Sequence, residues 1–393
     1  FGMVKYWETI IYNFLKEQNI QTPPQKLKVD KTNRIIGAYV KEPLVGGHNW
    51  VVSFDLNSLY PHLIMQYNIS PEKMIKADKL DVSVNTLLNK ECDLSGLKNT
   101  TVTPNGATFK RDKQGFLPEL MEKFYDERRI WKKKMIEYQV EYQSADKERR
   151  IELDTLIKRA NNNQMVRKIA LNSAYGALAN PYFAFYSTDL AEAITTSGQL
   201  VIQWAEKIIN KYLNKILQTE DKDYVIAMDT DSLYITLDDL VKQVFPEDTP
   251  KKKIIDFLDT VAEERIEGVL AEGFSELAEY TNAFQDRMQM GREVIAERGI
   301  WTAKKRYILN VHDNEGVRLA QPKLKMMGIE TAKSSTPQWV RTKLTEAFQV
   351  VMNDTEQDLW EFVEVARKEF RNLPPEEVAF PRGCKNLRQY SDS

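Results

Sequence analysis

The chain has 393 residues, 42% hydrophobic and 28% charged, with a formal net charge of −2. That length allows two or three packed subdomains, and the composition is that of a globular protein. A near-neutral balance argues against a simple basic nucleic-acid binder. The absence of any run of eighteen apolar residues argues against a membrane span. Cys92 and Cys384 are far apart and lack nearby histidines, which disfavours a disulfide framework or a zinc site. The first residues, Phe1 to Lys5, show no signal pattern, so a cytoplasmic setting is expected.

Charge is unevenly spread. Lys110 to Lys168 holds sixteen Lys/Arg against eleven Asp/Glu, and Asp238 to Arg298 holds fifteen acids against eight bases. A basic lobe beside an acidic one fits a protein that grips a polyanion on one face. Ordinary solvated helix faces would give similar counts.

In chain order, residues 4–18 have Trp7, Ile10, Ile11, Phe14 and Leu15 at helical spacing. A lysine-rich linker with Pro23 and Pro24 follows. Two β-rich runs come next, Ile35 to Val40 and Trp50 to Phe54, the second ending in Asp55. Ser58-Leu59-Tyr60-Pro61 opens a helix, since proline is tolerated in a first turn. Residues 101–109 predict a hairpin around Pro104-Asn105-Gly106. Residues 117–179, poor in Gly and Pro, predict two long helices that fold back near Gln143 to Asp146. A helix over 187–218 precedes strands 224–228 and 233–236, which flank Asp229-Thr230-Asp231-Ser232. Helices are predicted across 250–283, a strand at 293–296 and a hairpin pairing 305–312 with 316–320. Two closing helices follow Thr336-Pro337.

Asp55 stands at the end of a buried strand, facing a cleft, and Asp229 and Asp231 stand where one strand turns into another. Like charges converging there repel at low dielectric, and Mg²⁺, which prefers carboxylate and phosphate oxygens, resolves the conflict. A D-x-D turn taken alone is ordinary turn chemistry.

Other motifs accompany it. Asp55 to Pro61 (DLNSLYP), Lys168 to Gly176 (KIALNSAYG), Asp229 to Ser232 (DTDS) and Lys304 to Tyr307 (KKRY) occur in this order. Together they resemble the motifs of family B DNA polymerases. Val40-Lys41-Glu42-Pro43, Asn68 to Glu72 and Ser334 to Pro337 look most like the T-even-type phage members. The resemblance runs from about residue 4 to 372.

It implies an α+β fold: an antiparallel-sheet palm, ferredoxin-like by analogy, with a two-helix fingers hairpin and the beginning of a helical thumb. The implied divisions are 1–34 as helix and linker from a preceding domain, 35–109 and 181–330 as palm, 110–180 as fingers, and 331–393 as the start of the thumb. It implies DNA synthesis from dNTPs on a primer-template, with two Mg²⁺ ions (Mn²⁺ as a substitute) activating the 3′-hydroxyl and stabilising pyrophosphate. Asp55, Asp229 and Asp231 would be catalytic. Asp55 and Asp229 would ligate both metals, with the Leu56 carbonyl and Glu293 nearby. Ser58, Leu59 and Tyr60 would hold phosphates through helix-start amides, with Tyr60 also excluding a ribose 2′-hydroxyl. Arg128 and Lys132, and Lys168 and Asn172, are each spaced i, i+4 and would face the triphosphate. Tyr175 and Gly176 would underlie the new base pair. Lys305 and Tyr307 would contact the minor groove, and Lys323 and Lys325 the backbone.

Departures accompany the likeness. Ala227-Met228 replaces the family's Tyr-Gly, with expected consequences for primer positioning. His62 follows SLYP where a small residue is common and reads as structural. The fingers hairpin is short. No exonuclease motifs precede Asp55, and the clamp-binding tail is absent. These features imply a fragment or one half of a split polymerase, working with a separate exonuclease-bearing chain and, in the full-length protein, a sliding clamp. Its location would be the host cytoplasm if phage-encoded. The alternative is a non-catalytic primer-template-binding fragment needing a second chain. Tyr60 disfavours RNA synthesis.

Overall fold

The computed structural model describes residues 2–24, 35–75, 79–383 and 385–386. Cys384 and most of the lysine-rich linker lie outside the described residues. Helix α1 (Met3–Glu17) buries Trp7, Ile11 and Leu15, whose four-residue spacing places them on one face. Strand β1 (Gly46–Leu56) leads into α2 (Leu59–Gln66). Helix α3 (Val84–Leu88) precedes a small hairpin of β2 (Thr100–Val102) and β3 (Thr108–Lys110).

Two long helices, α4 (Phe116–Ser144) and α5 (Lys147–Leu178), then form an antiparallel hairpin. Asp146 caps α5 by accepting from the Arg149 amide at 2.9 Å. Lower down, Arg167 holds Glu127 across the pair at 2.8 Å. Helix α1 docks at the hairpin's base, where the Trp7 indole donates to Ser173 Oγ at 3.0 Å and its ring meets Phe124.

Helix α6 (Thr188–Leu217) is followed by β4 (Val225–Asp229), β5 (Ser232–Thr236), α7 (Asp238–Val244), α8 (Lys251–Val261) and α9 (Glu267–Tyr280), with a π-helical turn at Ala262–Ile266. Strands β6 (Met290–Ala303), β7 (Arg306–Asn314) and β8 (Val317–Met327) complete the sheet, and α10 (Gln338–Asn353), α11 (Glu356–Arg371) and α12 (Pro375–Val378) close the chain's ordered elements.

The main sheet has the order β4-β5-β1-β6-β7-β8, every neighbouring pair antiparallel. This is the expected α+β class. Side chains alternate across a strand, which gives the sheet two distinct faces. Val52, Phe54 and Leu56 of β1 enter the main core with α2, α6 and α9, each burial contributing roughly 1.5–3 kcal/mol. Val51 joins Tyr234, Val294, Trp301 and Tyr307 in a smaller cluster on the opposite face. Ser53 and Asp55 share the face of Val51. Helix α10 covers the far end through Met352 against Ile308 and Ile329.

Several elements differ from the sequence expectation. Residues 35–40 form no strand beyond a single bridge, Val40 with Asp229. The segment instead lies extended along the outer edge of β4, bonding through Thr230 N to Tyr39 O, Lys41 N to Met228 O and Leu44 N to Ile226 O. Pro43 has no amide to donate, so the regular ladder is broken there. Strand β6 is far longer than 293–296, and β8 extends past 320 to Met327. Both extensions carry charged residues on their solvent sides, which hides the alternation. The short helices α3 and α7 were not expected.

Asp313, read as a turn residue, is fully buried in β7. It pairs with buried Arg292 of β6 and with Arg318 at 2.9 Å. Arg292 also lies 2.7 Å from Asp259 of α8, which ties the helical layer to the sheet. Removing one partner of a buried pair strands the other charge. Arg292→Met is therefore expected to cost about 3 kcal/mol in urea unfolding, and Arg292→Met with Asp313→Leu to cost much less; equal losses would contradict this.

Candidate active site

Three acids meet because of strand register. Asp55 lies opposite Ser232 in the β1–β5 pair, and Asp229 lies opposite the same Ser232 in the β4–β5 pair. Directly paired residues project to one side of a sheet, so Asp55, Ser232 and Asp229 share a face. Ser232 Oγ donates to Asp55 Oδ1 at 2.8 Å. The Leu56 amide donates to the Asp231 carbonyl at 2.9 Å, which locks the turn onto the end of β1. Thr230 at the turn adopts φ 61°, a left-handed conformation costly for a β-branched residue.

The fourth acid arrives through a bulge. The β1–β6 register shifts between Ser53 and Phe54, leaving Glu293 as the extra residue of β6. Ser53 Oγ donates to Glu293 Oε2 at 3.1 Å. Sequence reading missed Ser53, although a lone serine among Val52 and Phe54 in a buried strand is a signal.

Electrostatics divide the four. Lys305 Nζ sits 2.6 Å from both oxygens of Asp229, and Lys325 Nζ sits 2.8 Å from Glu293. Asp55 and Asp231 have no such cap among the described residues. Burial, and then the Asp231 charge and Glu293, push Asp55 up to about 7. Burial, followed by Asp229 and Glu293, raises Asp231 as well. Asp55 thus feels the Asp231 charge most strongly among its acidic neighbours, while Asp229, on the same sheet face as Asp55, is held by a lysine.

Among the described residues no group of three or more His, Cys, Asp or Glu is closed up around a metal position. The donors are nevertheless hard carboxylate oxygens in mutual repulsion, which suits Mg²⁺ or Mn²⁺. The chemistry fits the ion; the cage is not preassembled.

The other expected residues ring this centre. Ser58 begins α2 with φ 47°, and the amides of Leu59 and Tyr60 fall in the first turn, where helix donors lack internal partners. Arg128 of α4 donates to Ser58 Oγ at 2.9 Å and keeps a buried, unpartnered Nε. Lys132, Lys168 and Asn172 are exposed on the hairpin, and the Lys168 charge is felt by Asp231. The Tyr60 ring lies 4.8 Å from that of Tyr175, and burial beside it pushes the Tyr60 phenol up to about 12. Gly198 of α6, not singled out from sequence, lets that helix close on Tyr60, since an added Cβ would stand 3.4 Å from its ring. Gly176 is exposed with open space around it.

On the β7–β8 side, Lys323 is exposed and lines a groove with Lys325, Val311 and Asn314. Lys305 occupies the β6–β7 turn with φ 60°. Gly328 packs on its carbonyl so closely that a Cβ would meet the oxygen at 2.0 Å. Tyr307 is not a free surface ring: it is buried, stacked on Trp301 and bonded to the Tyr234 hydroxyl at 2.8 Å. Met228 points into the main core, and Ala227 alone of that pair lies in the site-face cluster. His62 is buried, contacts the Ser58 carbonyl at 3.1 Å and packs edge-on to Tyr125, as a structural histidine does.

The model of a protein family described as DNA polymerase family B matches residues 4–244, more than half of the chain. The chain belongs to DNA polymerase family B. Curated family B relatives include the DNA-directed DNA polymerase of Escherichia phage RB69, 35% identical over 99% of this chain and 48% of that protein. The DNA-directed DNA polymerase of Enterobacteria phage T4 is 32% identical with the same coverage. The DNA polymerase of Pyrococcus glycovorans is 26% identical over 90% of this chain and 37% of its own. The chain therefore spans about half the length of the phage polymerases it matches. No helix among its described residues is long and apolar enough to cross a membrane.

The raised Asp55 has a testable consequence for stability. Its folded-state value lies above the ordinary one, so the protonated form is favoured and stability is lost as pH rises toward and through about 7. In chelator at pH 8, Asp55→Asn is expected to raise stability by about 1–2 kcal/mol, the side chain being partly solvated. The gain should vanish near pH 4. An unaltered or lowered melting temperature at pH 8 would contradict the burial and repulsion at this site.

Proposed function

We propose that the chain carries the nucleotidyl-transfer centre of a template-directed DNA polymerase, joining dNTPs to a primer 3′-hydroxyl. The observation that carries this reading is the pair of uncapped, raised carboxylates, Asp55 and Asp231, near the α2 start, Arg128 and Lys168. Bound Mg²⁺ or Mn²⁺ ions would activate the attacking hydroxyl and stabilise the leaving pyrophosphate.

Asp55 and Asp231 would hold these ions, aided by the Leu56 carbonyl. Asp229 would join once Lys305 leaves it, and Glu293 stays at the margin with Ser53 and Lys325. Ser58, Leu59 and Tyr60 offer amides to the phosphates. Arg128, Lys132, Lys168 and Asn172 supply positive charge and donors from the α4–α5 hairpin, the proposed fingers. The hairpin's closing on a matched nucleotide would add selectivity. The Tyr60 ring, held against Tyr175, fills the space a 2′-hydroxyl needs. Tyr175 and Gly176 would face the nascent pair, Lys305 and Tyr307 the minor groove, and Lys323 and Lys325 the backbone. The main sheet with its flanking helices corresponds to a palm, and α10 with α11 to the start of a thumb.

A second reading is a primer-template-binding module without chemistry of its own, favoured by the lysine cap on Asp229. Primer extension separates the two. Wild type should extend in Mg²⁺, Asp55→Asn and Asp231→Asn should each lose at least about 10³-fold, and Asp229→Asn should lose less. Equal extension by wild type and Asp231→Asn would reject the metal role. Tyr60→Val should admit ribonucleotides at least about tenfold better; unchanged sugar selectivity would remove the gate.

A further inference from the structure

The Tyr234–Tyr307 hydroxyl pair carries an inference that deepens the proposed duplex contact and rests on that reading. The two oxygens are 2.8 Å apart. Each hydroxyl has one proton and two acceptor sites, so the direction of the bond decides what Tyr307 can offer outside the pair.

Burial favours one direction. Tyr234 is 4% exposed and Tyr307 8%. Tyr234 lies between β4 and β1, packed edge-on to Trp301 at 5.5 Å, and has no hydrogen-bond partner other than Tyr307 among the described residues. If Tyr307 donated inward, the Tyr234 proton would be left buried without an acceptor, a cost of about 1–3 kcal/mol. If Tyr234 donates, its proton is satisfied, and the proton left over is that of Tyr307, the less buried of the two. The Tyr307 proton is then free.

That proton has one useful direction. Trp301 stacks on the Tyr307 ring at 5.4 Å, and Tyr234 closes the inner side. These rings are walls of a narrow cavity that Ala227, Asp229 and Lys305 also line, and Tyr307 lies within the field of Lys325, Glu293 and Asp229. This is the face on which a primer end would lie. Ala227 contributes only a methyl group there, and the acceptor that β4 does bring, Asp229, is engaged by Lys305 through both oxygens.

We propose that Tyr234 is a positioning residue that turns the Tyr307 hydroxyl proton outward, making Tyr307 an obligate donor to a minor-groove acceptor of the bound duplex. Purine N3 and pyrimidine O2 are acceptors in all correct pairs. A donor fixed in direction therefore senses pair geometry without reading sequence. The bond from Tyr234 also polarises the Tyr307 hydroxyl and strengthens its outward donation.

The test compares duplexes whose terminal purine either is natural or carries carbon in place of N3, which deletes the acceptor and preserves pairing. Binding is read by fluorescence anisotropy with Ca²⁺ in place of Mg²⁺, so no turnover is needed. Wild type should bind the deaza duplex about fivefold more weakly. Tyr307→Phe should bind both equally, and Tyr234→Phe should narrow the ratio to about twofold, although Tyr234 never touches DNA. Because the ratio is taken within each variant, a misfolded fraction cancels, and Tyr234→Met should give the same narrowing. A fivefold ratio retained by both Tyr234 variants overturns the positioning role while leaving the duplex contact intact. A wild-type ratio of one, or a ratio kept by Tyr307→Phe, instead removes the duplex contact on which the role rests.

Discussion

Repulsion among four carboxylates, held on one face of an antiparallel sheet by strand register, is the constraint around which this molecule is arranged. Asp55 at the end of β1, the Asp229–Asp231 turn and the bulged Glu293 cannot spread apart, because β1 is pinned between β5 and β6. Two lysines from the neighbouring turn and edge strand offset part of the charge, Lys305 on Asp229 and Lys325 on Glu293. The other two, Asp55 and Asp231, have no lysine cap among the described residues, and both carboxyls are shifted upward, first by burial and then by neighbouring acids. A site poised in this way has a stated chemical need, and a divalent cation meets it.

Backbone strain gathers at the same place. Ser58, Thr230 and Lys305 are non-glycine residues with left-handed φ values, and each stands at the acidic centre: at a helix start, in the acidic turn and at the lysine cap. Such conformations cost of order 1–3 kcal/mol each and persist where surrounding structure imposes them. Here the imposing contacts are identifiable. Arg128 grips Ser58, the Tyr39 carbonyl takes the Thr230 amide, and Gly328 packs on the Lys305 carbonyl. The buried Arg292–Asp313 pair braces β6 beside the bulge that presents Glu293.

The sequence made the long elements legible. The Gly- and Pro-poor run gave α4 and α5 nearly to their ends, and the alternation leading to Asp55 and around Asp229 gave β1, β4 and β5. Ordered motifs brought Asp55, Asp231, Tyr60, Arg128, Lys168 and Tyr175 to one mouth. Less was visible where tertiary contacts decide. Nothing local shows that Lys305 and Lys325 would cap acids, because those pairings join residues 76 and 32 positions apart. Tyr307 reads as a surface contact until its neighbours Trp301 and Tyr234 are placed across three strands. Asp313 reads as turn chemistry until Arg292 appears beside it. The Ala227-Met228 departure loses much of its weight once Met228 is seen to face the core.

Membership of DNA polymerase family B sets the frame, and this chain's own side chains supply the detail: the Asp231 charge helps to raise Asp55, and Asp229 is held by Lys305 of the protein itself. Anomalous diffraction from crystals grown with primer-template, a non-extendable nucleotide and Mn²⁺ tests that account most directly. The predicted result is manganese density between Asp55 and Asp231, with Lys305 withdrawn from Asp229. Manganese absent from this face, or bound by Asp229 while Asp231 stays uncoordinated, would contradict it.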